Sequence, residues 1–282
     1  MRMLSVFPAD RRLKILESVA DVQTIHVGEL AQRFGVSEMT IRRDIQRLER
    51  DGFLRRTYGG ATAHITRSLD LAFNARALQH AREKRLIGMR AARLVEDAMV
   101  LFLGIGTTCE QLARYLPARP ETMIVTPSLP IASLLGTRAG RTVILGGTVR
   151  RDELTCSGPA AAATLARYNF DVAVVGAAGL SARHGLTELH DDDAEINRLA
   201  LERATATLVV ADGSKLGAVT GAAVGPASVA RTLVTDRGAP ATELDSLRAL
   251  GLEVIIAAAD DGTGAARAPQ VLAGASHAGK ES

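Results

Sequence analysis

Residues 26–61 have the sequence HVGELAQRFGVSEMTIRRDIQRLERDGFLRRTYGGA, and this stretch decides the fold of the N-terminal part. The segment GELAQRF has an apolar helical face and stops at Gly35, a residue typical of helix ends. Ser37 can cap a following helix from Glu38 to about Arg50. Its apolar contacts would come from Met39, Ile41, Ile45 and Leu48. Two helices joined by so short a connection indicate a helix-turn-helix.

The flanking segments extend this pair in both directions. Residues 10–20 carry apolar side chains near helical spacing, which predicts a preceding helix. Short strands at Phe53–Thr57 and Ala61–Ile65 are expected to pair about the turn Tyr58-Gly59-Gly60 and form a wing. The sequence therefore predicts a winged helix-turn-helix over residues 1–62 and a linker over residues 63–75.

The second helix of a helix-turn-helix presents polar side chains near its N-terminus to base edges in the major groove. Arg42 and Arg43 are the expected readers, because an arginine can donate two parallel hydrogen bonds to guanine. Arg47 and Arg50 are expected to form only a solvated face. The predicted DNA-contacting set is Ser37, Glu38, Thr40, Arg42, Arg43, Arg55, Arg56 and Tyr58, in which the wing arginines would hold phosphates.

Charge is unevenly distributed along the chain. Residues 1–62 contain 11 lysines and arginines against 8 aspartates and glutamates, which accounts for the whole formal net charge of +3. A basic excess confined to this part fits nucleic-acid contact there and a small-molecule or protein partner elsewhere.

Downstream, apolar segments alternate with helical ones, the first helix being expected to begin near Arg76 and to run through EKRLIGMRAARLV. Such alternation predicts an α/β domain over residues 76–258, with a mostly parallel sheet covered by helices on both faces. Residues 259–282 are rich in Ala, Gly and Asp without a pattern and are predicted to be disordered. The seven predicted strands are residues 99–103, 122–126, 142–145, 172–176, 207–211, 232–235 and 253–257.

A glycine-rich turn follows the first of these strands, in MVLFLGIGTTCEQLARYL. Backbone N–H groups of such a turn and of the following helix favour an anion, and Thr107 and Thr108 add hydroxyl donors. A glycine after a strand also often serves only to make a tight turn, so the turn alone leaves phosphate binding open.

The 36 residues from 26 to 61 resemble the N-terminal signature of the DeoR family of transcriptional repressors. The run from Arg76 and Lys84 through GIGTT, VTPSLPIASLL, VILGGTVRRDELTCSGPAA, DVAVVGAAGL and VVADGSKLG resembles that family's C-terminal domain. The resemblance implies a domain related to the ribose-5-phosphate isomerase and glucosamine-6-phosphate deaminase folds, with a phosphorylated sugar or related metabolite as inducer. The implied effector-binding residues are Gly104, Gly106, Thr107, Thr108, Ser128 and Lys215.

The chain departs from the family pattern at four positions. Tyr58 stands where the family commonly has a wing histidine. Gly104 replaces the acidic residue of D-S-G-T-T, Ala178 that of GADG, and Asn197 the lysine after E-A-x-V. The last three departures each remove an ionisable group, and an isomerase or deaminase needs such a group to move a proton. The sequence therefore indicates a regulator rather than an enzyme.

Several further side chains have types that could support chemistry. The segment HDDDAEINR (190–198) offers a cluster of potential metal ligands, but acidic residues also favour the N-terminus of a helix, which is the expectation here. Glu188 and Asp191 are alternative contacts for sugar hydroxyls. Cys109 and Cys156 are in no metal-ligand spacing and are expected to be buried or incidental thiols. No metal and no cofactor is expected.

The leading hypothesis is a cytoplasmic repressor of a carbohydrate-metabolism operon, with no membrane segment. Its expected partners are a double-stranded DNA operator, a sugar phosphate and further copies of itself, the homo-oligomer being implied by the family. One alternative is a sugar-phosphate isomerase or deaminase with a DNA-binding arm. Another is a regulator that binds DNA without responding to an effector.

Overall fold

A computed structural model describes residues 11–12, 14–15, 18, 24–50, 54–57, 59–63, 76–77, 79–150 and 153–258. The chain divides into two compact units. The first contains the described residues up to 79 together with Glu153, and the second contains residues 80–150 and 154–258. Within the described residues, no helix is both long and apolar enough to cross a membrane.

The first unit is a winged helix-turn-helix, as predicted. Residues 11, 12, 14, 15 and 18 are helical and precede two complete helices and three strands. The strands form an antiparallel sheet in the order β1-β3-β2. Gly60 has to be glycine, because a Cβ there would lie 1.9 Å from the carbonyl oxygen of Ile25. The elements are β1 (Thr24–His26), α1 (Val27–Phe34), α2 (Glu38–Arg50), β2 (Leu54–Thr57) and β3 (Gly60–Ala63).

The core of this unit uses one face of α2. Ile41 and Ile45 are fully buried, as predicted, and Leu48 joins them. The expected core contact of Met39 is wrong, because its side chain points away from that face and remains 60% exposed. Asp44, also buried, accepts a 2.6 Å hydrogen bond from Arg11 and thereby ties the preceding helical segment to α2.

The second unit is an α/β domain built on a seven-stranded parallel sheet, in the order β15-β14-β12-β9-β4-β5-β6. These are the seven strands predicted from the sequence, with ends shifted by up to three residues. Their bounds are β4 (Val100–Leu103), β5 (Arg119–Thr126), β6 (Ala139–Ile144), β9 (Phe170–Val175), β12 (Ala204–Val210), β14 (Thr232–Thr235) and β15 (Glu253–Ile256).

Helices cover both faces of this sheet, which confirms the predicted layering. Alternate residues of β4 point to opposite sides, with Leu101 and Leu103 in one apolar cluster and Phe102 in the other. The helices α3 (Ala81–Leu94), α4 (Thr107–Tyr115) and α5 (Leu129–Leu135) pack on the first side. The helices α6 (Pro159–Leu165), α7 (Asp191–Glu202) and α8 (Ala241–Ala249) pack on the second.

Two features of this unit differ from expectation. Residues 76 and 77 are helical, as expected, but the predicted helix is not continuous from there. It is interrupted at His80, whose left-handed backbone (φ 53°) a continuous helix cannot contain, and α3 begins at Ala81. Two small antiparallel sheets were not predicted, β7-β8 and β10-β11-β13. Their strands are β7 (Thr148–Arg150), β8 (Thr155–Ser157), β10 (Gly179–Ser181), β11 (Gly185–Glu188) and β13 (Ala222–Gly225).

Candidate DNA interface and effector site

The N-terminus of α2 is fixed by a side-chain cap. Ser37 Oγ accepts a 3.2 Å hydrogen bond from the backbone N–H of Thr40 and lies 2.9 Å from Thr40 Oγ1. This bond satisfies one of the N–H groups that a helix start leaves unpaired. The cap sets where the first exposed turn of α2 begins, so the predicted DNA-contacting residues Ser37 and Thr40 are also structural.

The exposed face of α2 carries the predicted readers. Arg42 and Arg43 are both exposed; Arg43 faces away from Ile41, whereas Arg42 lies on the flank of α2 next to the groove that Ile45 also lines. Arg42 Nη2 donates a 3.2 Å hydrogen bond to Glu38 Oε2, but both side chains are more than half exposed. Such a pair is weak in water, so the guanidinium can exchange this partner for a base or phosphate.

A groove separates α2 from the wing. Glu49 of α2 holds the wing strand at two points, since its Oε1 accepts the backbone N–H of Arg56 at 3.1 Å and its Oε2 accepts Arg56 Nε at 2.6 Å. The groove has a volume of about 330 Å³ and is lined by Val27, Arg42, Ile45, Glu49, Arg56, Thr57 and Gly60. The predicted contacts of Tyr58 and of the Arg55 side chain lie outside the described residues.

The second unit has a topological switch point at β4. From β4 the chain first moves to β5 and β6 on one side of the sheet, and later to β9 and β12 on the other. In open α/β sheets, ligands bind in the crevice outside the carboxyl ends of strands at such a point. Gly104 to Thr108 follow β4, Ser128 follows the adjacent β5, and Lys215 follows β12, which β9 separates from β4. The predicted effector residues therefore all lie at the carboxyl end of the sheet.

The turn after β4 leads directly into α4. Gly106 has φ 99°, a conformation that favours glycine, and a Cβ built there would meet nothing within 4 Å. Thr107 and Thr108 form the first turn of α4 and are buried. A helix start of this kind directs backbone N–H groups and the positive end of the helix dipole outward, which suits an anion.

The two remaining predicted effector residues have different surroundings. Ser128 is buried, and its Oγ accepts the backbone N–H of Ile131 at 3.3 Å, so it caps α5. Lys215 ends a short 3₁₀ turn, Gly213–Lys215, and is half-buried. Asp212 fixes that turn by accepting the backbone N–H of Ser214 at 3.1 Å.

Lys84 belongs to this region, although its place there was not predicted. Its Nζ lies 4.0 Å from Asp212 Oδ2, and both side chains are almost completely buried. The signal in the sequence was its position on the apolar face of α3, three residues before the buried Ile87. A lysine is rarely buried without a paired charge, so that position indicates a partner or a ligand.

The buried polar groups near β4 come from three elements. Asn197 of α7 donates a 3.1 Å hydrogen bond from Nδ2 to Glu188 Oε1 at the end of β11, and both residues are buried. Burial, together with the charge of Glu188, raises the pKa of the Cys109 thiol, while the N–H of Gly176 acts in the opposite direction. Cys109 and Cys156 are both free and buried, which agrees with the expectation.

The acidic side chains at the start of α7 make contacts within the protein. Asp191, Asp192 and Asp193 occupy the first turn of α7, as the helix-start interpretation predicted. Asp192 Oδ2 accepts a 3.2 Å hydrogen bond from Ser157 Oγ, and Asp193 pairs with Arg150. These contacts fasten the β7-β8 hairpin to α7.

Comparisons with known proteins agree with this architecture. Residues 11–66 match a family model described as the DeoR-like helix-turn-helix domain, and residues 79–237 match one described as the DeoR C terminal sensor domain. The HTH-type transcriptional regulator GlpR of Haloferax volcanii is 34% identical over 212 residues, which cover 75% of this chain and 83% of that protein. The putative aga operon transcriptional repressor of Escherichia coli O157:H7 is 28% identical over 88% of this chain and 93% of its own.

Solved structures with a similar fold include ribose 5-phosphate isomerase A of Methanocaldococcus jannaschii. The alignment covers 48% of this chain and 54% of the isomerase, at 20% identity and a TM-score of 0.36.

Proposed function

This chain belongs to the DeoR family of transcriptional regulators, and we propose that it represses a carbohydrate-metabolism operon until a phosphorylated sugar or related metabolite releases it from DNA. The observation that carries the DNA-binding half is the exposed N-terminal face of α2 in a helix-turn-helix, with Arg42 and Arg43 side by side. In this arrangement α2 lies in the major groove and the arginines reach base edges.

The wing supplies contacts that hold the DNA without reading it. Arg56 lies beside the groove between α2 and the wing, and its guanidinium is more than half exposed even while paired with Glu49. A DNA phosphate that approaches this groove meets Arg56 on the wing. Contacts of this kind fix register and orientation and depend on salt.

The carboxyl end of the parallel sheet is the proposed effector site. The start of α4 offers N–H groups to a phosphate, with Lys215, which follows β12 at the same end of the sheet, as the cation that pairs with it. Lys84 adds a buried positive charge beside Asp212. The sugar hydroxyls would then contact polar groups such as Glu188.

Release from DNA is proposed to follow a population shift. Two or more copies of the chain bind repeated half-sites, and the effector stabilises a form in which the half-sites no longer match. The effector achieves this only to the extent that it binds that form more tightly than the DNA-bound form.

Gel-shift binding of the full chain to the region upstream of its own operon, repeated with a panel of sugar phosphates at fixed salt, tests both halves. We expect one compound to release the DNA. Lys215→Met should abolish that release while leaving DNA affinity unchanged. Arg167→Met is the matched control, because Arg167 is exposed and precedes β9 at the opposite end of the sheet.

The outcomes separate the two halves of the proposal. Sequence-selective binding that no compound disturbs contradicts the effector half and leaves the DNA-binding half intact. Binding that shows no sequence preference and no salt dependence contradicts the DNA-binding half.

A further inference from the structure

Met39 is an apolar side chain in an unusual position. It leaves 60% of its surface exposed, the largest value among the big apolar side chains in the described part of the chain. It is not part of the apolar cluster that contains Ile41, Ile45 and Leu48. Its exposure therefore contributes nothing to the stability of the winged helix.

Helix geometry places Met39 opposite the core. Successive residues of an α-helix are rotated by about 100°, so Met39 lies roughly 150° from the middle of the face formed by Ile41, Ile45 and Leu48. Viewed along the helix axis, Arg42 and Arg43 lie on either side of Met39, because they follow it by three and four residues. All three side chains are exposed. Met39 is thus at the centre of the exposed face of α2, in its first turn.

Isolated exposed apolar residues are common on protein surfaces and need no special role. Met99, which is 49% exposed in the second unit, is such a residue. Met39 differs because its neighbours are the two arginines of a recognition helix, in the turn that reaches deepest into the major groove. An apolar group there meets base edges rather than solvent.

We propose that Met39 is a specificity-determining residue that packs against the C5-methyl group of a thymine in the major groove. The proposal rests on the DNA-binding function proposed above. The thymine methyl is the apolar feature of the major-groove edge, and it is read by apolar contact. Methionine suits this contact because its flexible, polarisable side chain adapts to the shape of the groove. The thymine would neighbour the bases contacted by Arg42 and Arg43.

The test first removes the thymine methyl group from the DNA and then shortens the Met39 side chain. A preferred binding site is first selected from a random DNA library with the full chain. Each thymine of that site is then replaced singly by deoxyuracil, which lacks only the methyl group. For the wild type we expect about fourfold weaker binding at one position of each half-site, which corresponds to ~0.8 kcal/mol at ~1.4 kcal/mol per tenfold.

Variants of Met39 test whether its side chain causes this loss of affinity for the uracil-containing site. Met39→Ala should bind the thymine and uracil sites equally, and Met39→Leu should keep most of the discrimination. Met99→Ala is the matched control and should behave as the wild type. Because Met39 lies outside the core, the thermal unfolding of Met39→Ala should match that of the wild type, which checks that the variant folds.

Two results would overturn the inference while leaving DNA binding intact. In one, the wild type is indifferent to uracil at every position; in the other, Met39→Ala keeps the same uracil penalty. A chain that selects no sequence from the library would overturn the DNA-binding function as well.

Discussion

Gly104 and Asn197 are neighbours at the carboxyl end of the parallel sheet, where a Cβ built on Gly104 would lie 3.4 Å from Asn197 Oδ1. The family pattern has an acidic residue at the first position and a lysine at the second. Two departures that are far apart in the sequence are therefore adjacent in space. We interpret them as one change, in which an ion pair is replaced by a neutral contact.

Restoring both charges together should be less harmful than the sum of restoring each one alone. Gly104→Asp alone places a carboxylate beside the buried Asn197–Glu188 pair, and Asn197→Lys alone forces a longer side chain into a buried position. We expect each to lower the free energy of unfolding by about 1–3 kcal/mol. In the double variant the new charges pair, and the loss should be smaller than the sum by about 0.5–3 kcal/mol.

Denaturant unfolding of the four proteins measures this coupling. Gly104→Ala is the steric control, because its Cβ approaches the carbonyl oxygen of Val174 to 3.2 Å without adding a charge. Strictly additive effects would show that positions 104 and 197 act independently.

The two arginines of α2 should account for sequence preference. Because each bidentate contact with guanine contributes about 1–3 kcal/mol of discrimination, Arg42→Ala and Arg43→Ala should each weaken specific binding by roughly tenfold to a hundredfold. The double variant should retain only nonspecific binding, with unchanged unfolding of the second unit. Titration of labelled operator and of scrambled DNA measures the difference. Arg47→Ala is the matched control, and an equal loss in that variant would contradict the assignment.

Arg56 of the wing should affect the salt dependence of DNA affinity rather than the preference for particular bases. Removing one phosphate contact lowers the slope of log affinity against log salt by about 1, so Arg56→Ala should bind all sequences more weakly and with that smaller slope. Glu49→Gln keeps the guanidinium and should keep the slope. Binding isotherms at several salt concentrations provide the test. A change in base preference in Arg56→Ala would instead indicate direct reading by the wing.

The sequence predicted the elements whose signals are local. Seven continuous apolar segments were sufficient for the parallel sheet, and the caps at Gly35 and Ser37 were sufficient for the ends of α1 and α2. Strands β10, β11 and β13 were not predicted, because each has only three or four residues. The pairing of β11 with β13 also joins segments far apart in the chain, and no local pattern specifies such a pairing.

Site residues were harder to predict than strands, because their roles depend on direction and neighbours. Met39 was assigned to the core by its apolar type, whereas its phase on α2 relative to Ile41 places it on the opposite face. The DNA-contacting residues predicted for α2 are either exposed or part of its N-terminal cap. The proximity of Lys84 to Asp212 follows only from the packing of α3 against the sheet.

Cys109 should make stability fall at alkaline pH. Burial and the charge of Glu188 raise the pKa of its thiol above the ordinary value of 9.0. Above that pH the unfolded chain loses the thiol proton while the folded chain keeps it, so the free energy of unfolding decreases as pH rises. One such group contributes a slope of about 1.4 kcal/mol per pH unit.

Urea unfolding between pH 8 and pH 10.5 measures this slope in the wild type and in Cys109→Ala. The alanine variant should lose stability less steeply above pH 9.0, because the titrating group is gone while the tyrosines and lysines common to both proteins remain. Cys156→Ala is a second comparison that keeps Cys109 in place: burial also raises the pKa of the Cys156 thiol, so its removal should likewise make the alkaline loss of stability less steep. If wild type and Cys109→Ala fell with the same slope, the folded protein would release the Cys109 proton as readily as the unfolded chain, and the pocket beside Glu188 would have to admit a second negative charge.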